Sequence, residues 1–195
     1  MHKLVVGLGN PGPEYDWTRH NVGFHVLDRL AGNEHLIFHS ARKLDGYGGR
    51  NSFTFARSTR FDATYVKPST YMNRSGEAVL ALRDALHVDP GSILVVYDDM
   101  DLPLGKLRIR PHGGPGTHNG MRSIVTTLGT DRFPRLRVGI GAARTDAARH
   151  VLERFTEDEQ PEIEISVAES AEAITAWLES EDLESVMTRF HSRWT

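Results

Sequence analysis

Apolar residues along the chain form short continuous runs that alternate with stretches of helical periodicity. Leu4 to Leu8 is one such run, ending at Gly9, and it has the pattern of a buried strand. Ser92 to Tyr97 repeats that pattern and leads directly into acidic residues. Shorter strands are predicted around Tyr47 and over 53–55, 61–66, 107–110 and 136–140.

The first helix is predicted after Asn21, because Val22, Val26 and Leu30 recur at helical spacing with Leu27. We expect Asn21 to cap this helix and Gly32 to end it. Further helices are predicted over 75–86, 119–128, 162–178 and 183–190.

Apolar strands that alternate with helices predict an α/β fold. We expect residues 1–195 to form a single-domain αβα sandwich with a mixed, largely parallel central sheet. Ligands bind beyond the carboxyl ends of the strands in such sheets. The residues that follow Leu8, Tyr97 and Ile140 are therefore the first candidates for a functional site.

Composition narrows the class of protein. A chain of 195 residues with 39% hydrophobic and 25% charged residues suits one folded domain rather than a disordered protein. The 0 cysteines exclude a disulfide framework, a thiolate metal site and a cysteine nucleophile. No apolar run is long enough to span a bilayer. We therefore expect a cytoplasmic protein without membrane association.

The charge is unevenly distributed although the net charge is only -3. Between Pro103 and Arg144 the only acidic residue is Asp131. The basic residues of this segment are Lys106, Arg108, Arg110, Arg122, Arg132, Arg135, Arg137 and Arg144. The segment 153–184 is strongly acidic. A local basic face can bind phosphate even on an acidic molecule. On charge alone, two solvated surfaces of opposite sign remain the simpler interpretation.

The glycines of the segment 7–12 have the spacing of a dinucleotide-binding fingerprint. That fingerprint needs the glycines to open directly into a helix, whereas Pro11 and Pro13 impose a turn and the helix begins only near Asn21. We reject that interpretation. The loop instead displays Asn10, whose amide can both donate and accept hydrogen bonds, or can simply form the turn.

Two further segments carry ionisable side chains. His20 lies at a loop-to-helix junction and has the chemistry of a general base. Asp98, Asp99 and Asp101 follow the second apolar strand, where a carboxylate can orient a histidine, bind a divalent metal or form an acidic turn. The residues alone leave those three alternatives open.

Two loops place amide side chains beside helix starts. The glycine-rich loop 113–120 can cradle an anion, and Asn119 stands where it can cap the next helix. Asn73 holds the same kind of position before the helix at 75. The sequence has no Gly-x-Ser-x-Gly elbow, no His-Glu-x-x-His and no Walker-type lysine loop. A hydrolase built on these residues would activate water directly.

Taken together and in order, these segments resemble the bacterial-type peptidyl-tRNA hydrolase family. The resemblance runs from the first strand to about Gly141. The matching blocks are Gly7-Leu8-Gly9-Asn10-Pro11-Gly12, Tyr15, Thr18-Arg19-His20-Asn21-Val22-Gly23, Tyr71-Met72-Asn73-Arg74-Ser75-Gly76, Asp98-Asp99-Met100-Asp101-Leu102-Pro103, His118-Asn119-Gly120 and Arg137-Val138-Gly139-Ile140-Gly141.

The resemblance implies an esterase that cuts the bond between a peptide and the 3′ ribose of tRNA. It makes His20 the general base and Asp98 the residue that orients it. It gives Asn10 the task of holding His20 and the substrate end, and Asn119 that of positioning water or substrate. The substrate-binding residues that it implies are Asn73, Tyr15, Tyr71, Lys106, Arg110 and Arg137, with Arg108 adding to the basic face.

The same resemblance implies that Arg110 and Arg137 clamp the tRNA 5′-phosphate. The expected partner is the acceptor stem and 3′ end of peptidyl-tRNA. The family also suggests a monomer that needs no cofactor and no metal. Two alternatives are a non-catalytic RNA-binding protein on the same scaffold and a metal-dependent hydrolase built on Asp98, Asp99, Asp101 and nearby histidines.

Overall fold

The computed structural model describes residues 1–44, 50, 52–143, 146–180 and 182–191. Within these residues, seven strands form one sheet in the order β2-β3-β4-β1-β5-β7-β6. The strands are β1 (Lys3–Gly7), β2 (His39–Ser40), β3 (Phe53–Arg57), β4 (Ala63–Pro68), β5 (Ile93–Asp99), β6 (Leu107–Arg110) and β7 (Arg135–Gly139).

The four central strands are parallel, because β1 pairs with β4 and β5 and β5 pairs with β7 in parallel register. The pairs β2/β3, β3/β4 and β6/β7 are antiparallel. The prediction of a mixed, largely parallel sheet in an α/β fold is therefore confirmed. The strand predicted around Tyr47 lies outside the described residues.

In the described part of the chain, six α-helices cover the two faces of the sheet. They are α1 (Val22–Asn33), α2 (Ser75–Leu86), α3 (Asn119–Leu128), α4 (Ala147–Leu152), α5 (Gln160–Glu179) and α6 (Leu183–His191). Alternation along β1 divides the core, since Val5 packs with α1 and α5 while Leu4 and Val6 pack with α2 and α3. No helix in the described part of the chain is long and apolar enough to cross a membrane.

The bounds of α2, α3 and β6 match their prediction, and α5 extends two residues before and one residue after the predicted 162–178. The six-residue α4 and the two-residue β2 were not predicted. Two predicted caps are wrong. Asn21 makes no side-chain cap to α1, and the cap of α3 is His118, whose Nδ1 accepts from the Met121 N–H, rather than Asn119.

Helix α1 packs against the sheet at unusually short range. A Cβ atom on Gly7 would lie 2.4 Å from the Gly23 carbonyl oxygen, and one on Gly23 would lie 2.5 Å from the Val96 carbonyl oxygen. Only glycine permits this approach. It brings the start of α1 to the carboxyl ends of β1 and β5, where the chain connections leave in opposite directions and a ligand site is expected.

Candidate active site

Two histidines share one carboxylate at the carboxyl end of β5. His20 Nδ1 lies 2.9 Å from each carboxylate oxygen of Asp98, and His118 Nε2 lies 2.9 Å from Asp98 Oδ1. The two imidazole rings are 5.0 Å apart between centroids. Asp98 is buried and both histidine side chains are 10% exposed, so the cluster is largely shielded from water.

The hydrogen bonds determine which nitrogen of each histidine carries the proton. His118 Nδ1 accepts from the Met121 N–H, so its Nε2–H donates to Asp98. His20 donates its Nδ1–H to the same carboxylate. Within the described part of the chain His20 Nε2 has no hydrogen-bond partner. His20 therefore keeps a nitrogen lone pair available on the side of the ring away from Asp98.

The electrostatics of Asp98 suit a charged carboxylate in spite of its burial. Burial by itself would raise the pKa of Asp98, but the electrostatic interactions and hydrogen bonds of its carboxylate with His118 and His20 outweigh burial and hold the pKa well below its usual range. An ionised carboxylate is the group that stabilises an imidazolium formed by proton uptake. His20 and Asp98 together have the geometry and the charge of an acid–base centre.

Asn10 holds loops in place. Its Oδ1 accepts from the Met72 N–H at 2.8 Å, its backbone N–H donates to Asn21 Oδ1 at 2.8 Å, and its carbonyl accepts from Asn21 Nδ2 at 3.0 Å. No hydrogen bond joins Asn10 to His20 in the described chain, contrary to the expectation above. Asn10 is instead connected to the turn that carries His20 through its two hydrogen bonds with the neighbouring Asn21.

The other two amide residues are solvent-facing. Asn73 lies exposed in the 3₁₀ turn Met72–Arg74, and Asn119 is exposed at the first turn of α3. Beside Asn73, the ring of Tyr71 meets that of Tyr15 edge-on with centroids 6.3 Å apart. Tyr71 has a φ of 61° and an exposure of 52%, so a strained backbone presents an aromatic ring to solvent.

A cleft of about 880 Å³ runs from the histidine pair to the basic strands β6 and β7. His20, Asp98, His118 and Asn119 line one end, and Arg110 and Arg137 line the other. The pairing of Arg108 with Arg137 and of Arg110 with Arg135 places four arginines on one face of the sheet. The structure thus brings the predicted base and the predicted clamp residues to a single cleft.

The four arginines differ in their contacts. Arg137 donates to the carboxylate of Asp99, which is therefore engaged in an ion pair. Arg108 and Arg110 are exposed, and Lys106 is half-buried where the chain enters β6. Arg135 is 2% exposed, and its guanidinium donates to backbone carbonyls, among them those of Gly113 and Asp131. Arg135 thus adds positive charge to the floor of the cleft and holds the glycine-rich loop.

His20, Asp98 and His118 are also the one group in the described chain whose ligand atoms lie close enough together to hold a metal ion, all within 4.8 Å. In the hydrogen-bonding arrangement described for this cluster, both histidine nitrogens that face Asp98 carry protons and donate to its carboxylate. Those nitrogens then have no lone pair to offer to a metal ion. Asp99 and Asp101 do not join this group. Asp99 binds Arg137 and accepts from the Asp101 N–H at 2.8 Å.

His118 and Arg135 are the site residues that sequence reasoning did not assign. His118 entered only as part of the matching block His118-Asn119-Gly120, and Arg135 only as one of several basic residues. His118 directly precedes a helix start and Arg135 precedes a buried strand residue, but neither position reveals which distant atoms its side chain contacts. Both depend on contacts between segments about 20 residues apart.

The fold and the site define a class: an α/β protein with a shielded histidine–carboxylate centre at the switch point of its sheet and a basic cleft beside it. The family model described as peptidyl-tRNA hydrolase matches residues 4–195. Similar curated proteins named peptidyl-tRNA hydrolase include one from a Synechocystis species, 46% identical over 98% of this chain and 96% of its own. Another, from Chloroflexus aggregans, is 47% identical over 96% and 98%.

Among solved structures, the peptidyl-tRNA hydrolase of Acinetobacter baumannii is 31% identical, covers 97% of this chain and 94% of its own, and superposes with a TM-score of 0.87. This chain belongs to the peptidyl-tRNA hydrolase family. An Arabidopsis thaliana 5′-methylthioadenosine nucleosidase, 8% identical with a TM-score of 0.54, covers 94% of this chain and 98% of its own. It shares only the general fold.

Proposed function

We propose that this chain cleaves the ester bond between a peptide and the 3′ ribose of its tRNA with a water molecule that His20 activates. The reaction is the one for which the family is named. The observation that carries the role of His20 is its Nδ1–H bond to Asp98, 2.9 Å long, with Nε2 left available at the cleft. Nε2 takes a proton from water as the oxygen attacks the ester carbonyl.

Asp98 stabilises the imidazolium that results, and that imidazolium then protonates the departing ribose oxygen. General-base catalysis of this kind contributes roughly 10²- to 10⁴-fold. His118 supports the step by holding Asp98 in its ionised form and in a fixed orientation. In this proposal Asn119, which is exposed and lines the cleft, would position the water or the ester.

Selectivity for a peptide is proposed to come from amide and aromatic groups near Met72. Asn73, together with the Asn10 side-chain nitrogen, offers partners to a peptide bond. The exposed ring of Tyr71 and the half-buried ring of Tyr15, in edge-on contact, lie next to Asn73. A free aminoacyl ester has a charged α-amino group in place of that peptide bond. Such a substrate leaves the amides unpaired, which is a strong basis for rejection.

We further propose that the acceptor stem lies along the basic end of the cleft. Arg110 and Arg137 would clamp the 5′-phosphate, and Arg108 and Lys106 would add attraction for the backbone. The pairing of Arg137 with Asp99 keeps its guanidinium fixed before binding. The proposed substrate also implies that the protein works in the cytoplasm, and we propose that it acts as a monomer without a cofactor.

Release of a labelled N-acetyl-aminoacyl group from tRNA tests this function, with free aminoacyl-tRNA as the matched control and each reaction run both without and with a chelator. We expect fast cleavage of the acetylated ester only. Cleavage that stops in chelator would favour a metal held by His20, Asp98 and His118. Retained tRNA binding without cleavage would favour the non-catalytic RNA-binding alternative.

A further inference from the structure

Arg19, the residue before His20, is a buried cation with a bidentate partner. Its side chain is 6% exposed, and its Nη1 and Nη2 donate to Glu159 Oε1 and Oε2 at 3.2 and 2.8 Å. Nη1 also lies 3.4 Å from the carbonyl oxygen of Ile140, the residue that follows β7. Its guanidinium carbon is 5.0 Å from the centre of the Phe155 ring.

Glu159 is itself held in place. Its Oε2 accepts from the Thr156 N–H at 2.9 Å, at the entrance to α5. Burial would raise the pKa of Glu159, but the hydrogen bond from Arg19 and that from Thr156 outweigh it and lower the pKa. The carboxylate of Glu159 is therefore charged near neutral pH. Its two parallel hydrogen bonds with the guanidinium of Arg19 both strengthen the ion pair and fix the relative orientation of the two groups.

Backbone contacts join the same two segments. The Arg19 N–H donates to the Glu153 carbonyl at 2.9 Å, and Thr18 forms an isolated β-bridge with Arg154. The connection between α4 and α5 thus runs beside the turn that carries His20. It follows that the side chain of Arg19 ties this turn to both β7 and the start of α5.

His20 consequently stands between two anchors. On one side Asn21 bonds twice to the backbone of Asn10 after β1, and on the other Arg19 bonds to Glu159 and Ile140. The turn Arg19–Asn21 is a single turn of 3₁₀ helix, which has too few internal hydrogen bonds to fix a side chain by itself. The orientation of His20 toward Asp98 depends on these flanking contacts.

We infer that Arg19 and Glu159 form a positioning pair that aligns His20 with Asp98 for the proposed hydrolysis. The inference rests on the proposed role of His20. It assigns a catalytic consequence to Glu159, which does not line the cleft. Displacement of a reacting group by about 1 Å can lower a rate 100-fold, so a small shift of this turn is sufficient.

The test compares Arg19→Lys and Glu159→Gln with the wild type in hydrolysis of N-acetyl-aminoacyl-tRNA. Lysine keeps the charge but loses the fork, and glutamine keeps an acceptor but loses the charge. We expect kcat to fall about 10- to 100-fold in each variant while KM stays within about twofold. The double variant should lose little more than either single one, because the two residues act as a unit.

The matched control is Glu179→Gln at the far end of α5, which removes the same charge from the exposed ion pair of Glu179 with Arg60. It should leave kcat unchanged. A readout independent of activity is the NMR signal of the His20 Nδ1 proton, which we expect to exchange faster with water in both variants. Thermal unfolding of each variant establishes that the assay is made on folded protein, and Glu159→Gln alone suffices if Arg19→Lys does not fold.

Values of kcat within about twofold of the wild type in the folded variants would overturn the inference, as would an unchanged His20 proton signal. A loss confined to KM would also overturn it, because it would place the pair in substrate binding. The wild type distinguishes the two possible failures. If the proposed function is wrong, the wild type does not cleave the acetylated ester; if only this inference is wrong, the wild type cleaves it.

Discussion

His20 Nδ1 and the carboxylate of Asp98 are 2.9 Å apart, although 78 residues separate them in the chain. The contact forms because the turn before α1 and the end of β5 meet at the switch point of the sheet, where glycines bring α1 against the strands. This contact sets the tautomer of His20 and so leaves its Nε2 free to accept a proton. His118 is the second partner of the same carboxylate.

Replacement of Asp98 by Asn tests the tautomer argument. His118 donates to Oδ1, so the amide nitrogen of the new side chain would face His20 and donate to Nδ1. His20 would then carry its proton on Nε2 and lose its function as a base. We expect kcat to fall about 10³- to 10⁴-fold, as in the template Ser-His-Asp enzymes. Single-turnover cleavage measures this, and Asp101→Asn, an exposed acid at the cleft, should keep nearly full activity.

His118→Asn tests whether His118 stabilises the ionised carboxylate of Asp98. Asparagine preserves the helix cap but removes the Nε2–H donor beside Asp98. A depressed carboxyl pKa stabilises the fold above the unfolded pKa of about 3.9, and this stability is lost as the pH falls toward the folded pKa. The unfolding free energy of the wild type should therefore decrease on acidification below about pH 4.

In His118→Asn the pKa of Asp98 is less depressed, so that decrease should be shallower than in the wild type. Denaturant unfolding at several pH values measures it. His112→Asn, an exposed histidine of the same loop, provides the control and should leave the acid dependence unchanged. An identical pH dependence in His118→Asn and the wild type would show that His118 does not stabilise the Asp98 carboxylate.

Arg110→Gln tests the basic end of the cleft. Arg110 is exposed and lines the cleft, so its loss should weaken tRNA binding without lowering the rate of the chemical step at saturation. The slope of binding against salt concentration should decrease by about 1, as expected for one phosphate contact. Arg29→Gln, an exposed arginine of α1 on the opposite face, should change neither quantity. Equal effects of both variants would mean that tRNA binding depends on the net charge of the protein and not on the position of Arg110.

The sequence was sufficient to predict the elements with strong local signals. The bounds of α2 and α3 follow from helical periodicity with clear ends, and β1 and β5 follow from continuous apolar runs. The short elements α4 and β2 were not predicted, since six and two residues carry too little periodicity to be recognised. Asn21 was assigned to a helix cap by its position, but tertiary contacts with Asn10 use its side chain instead.

The candidate site divides in the same way. The resemblance to the family gave His20, Asp98, Asn119, Arg110 and Arg137 by motif, and the structure brings these residues to one cleft. The contact of His118 with Asp98 and the buried position of Arg135 depend on packing between loops distant in sequence. No local pattern of residues specifies such contacts. The Arg19–Glu159 pair, 140 residues apart, is a further example.

The measurement that tests the central claim most directly is the single-turnover rate of N-acetyl-aminoacyl-tRNA cleavage by His20→Ala, with tRNA affinity determined on the same preparation. The account predicts a fall of about 10²- to 10⁴-fold in the rate with tRNA affinity within about twofold of the wild type. Cleavage at the wild-type rate by the folded variant would contradict it, because another group would then have to activate the water.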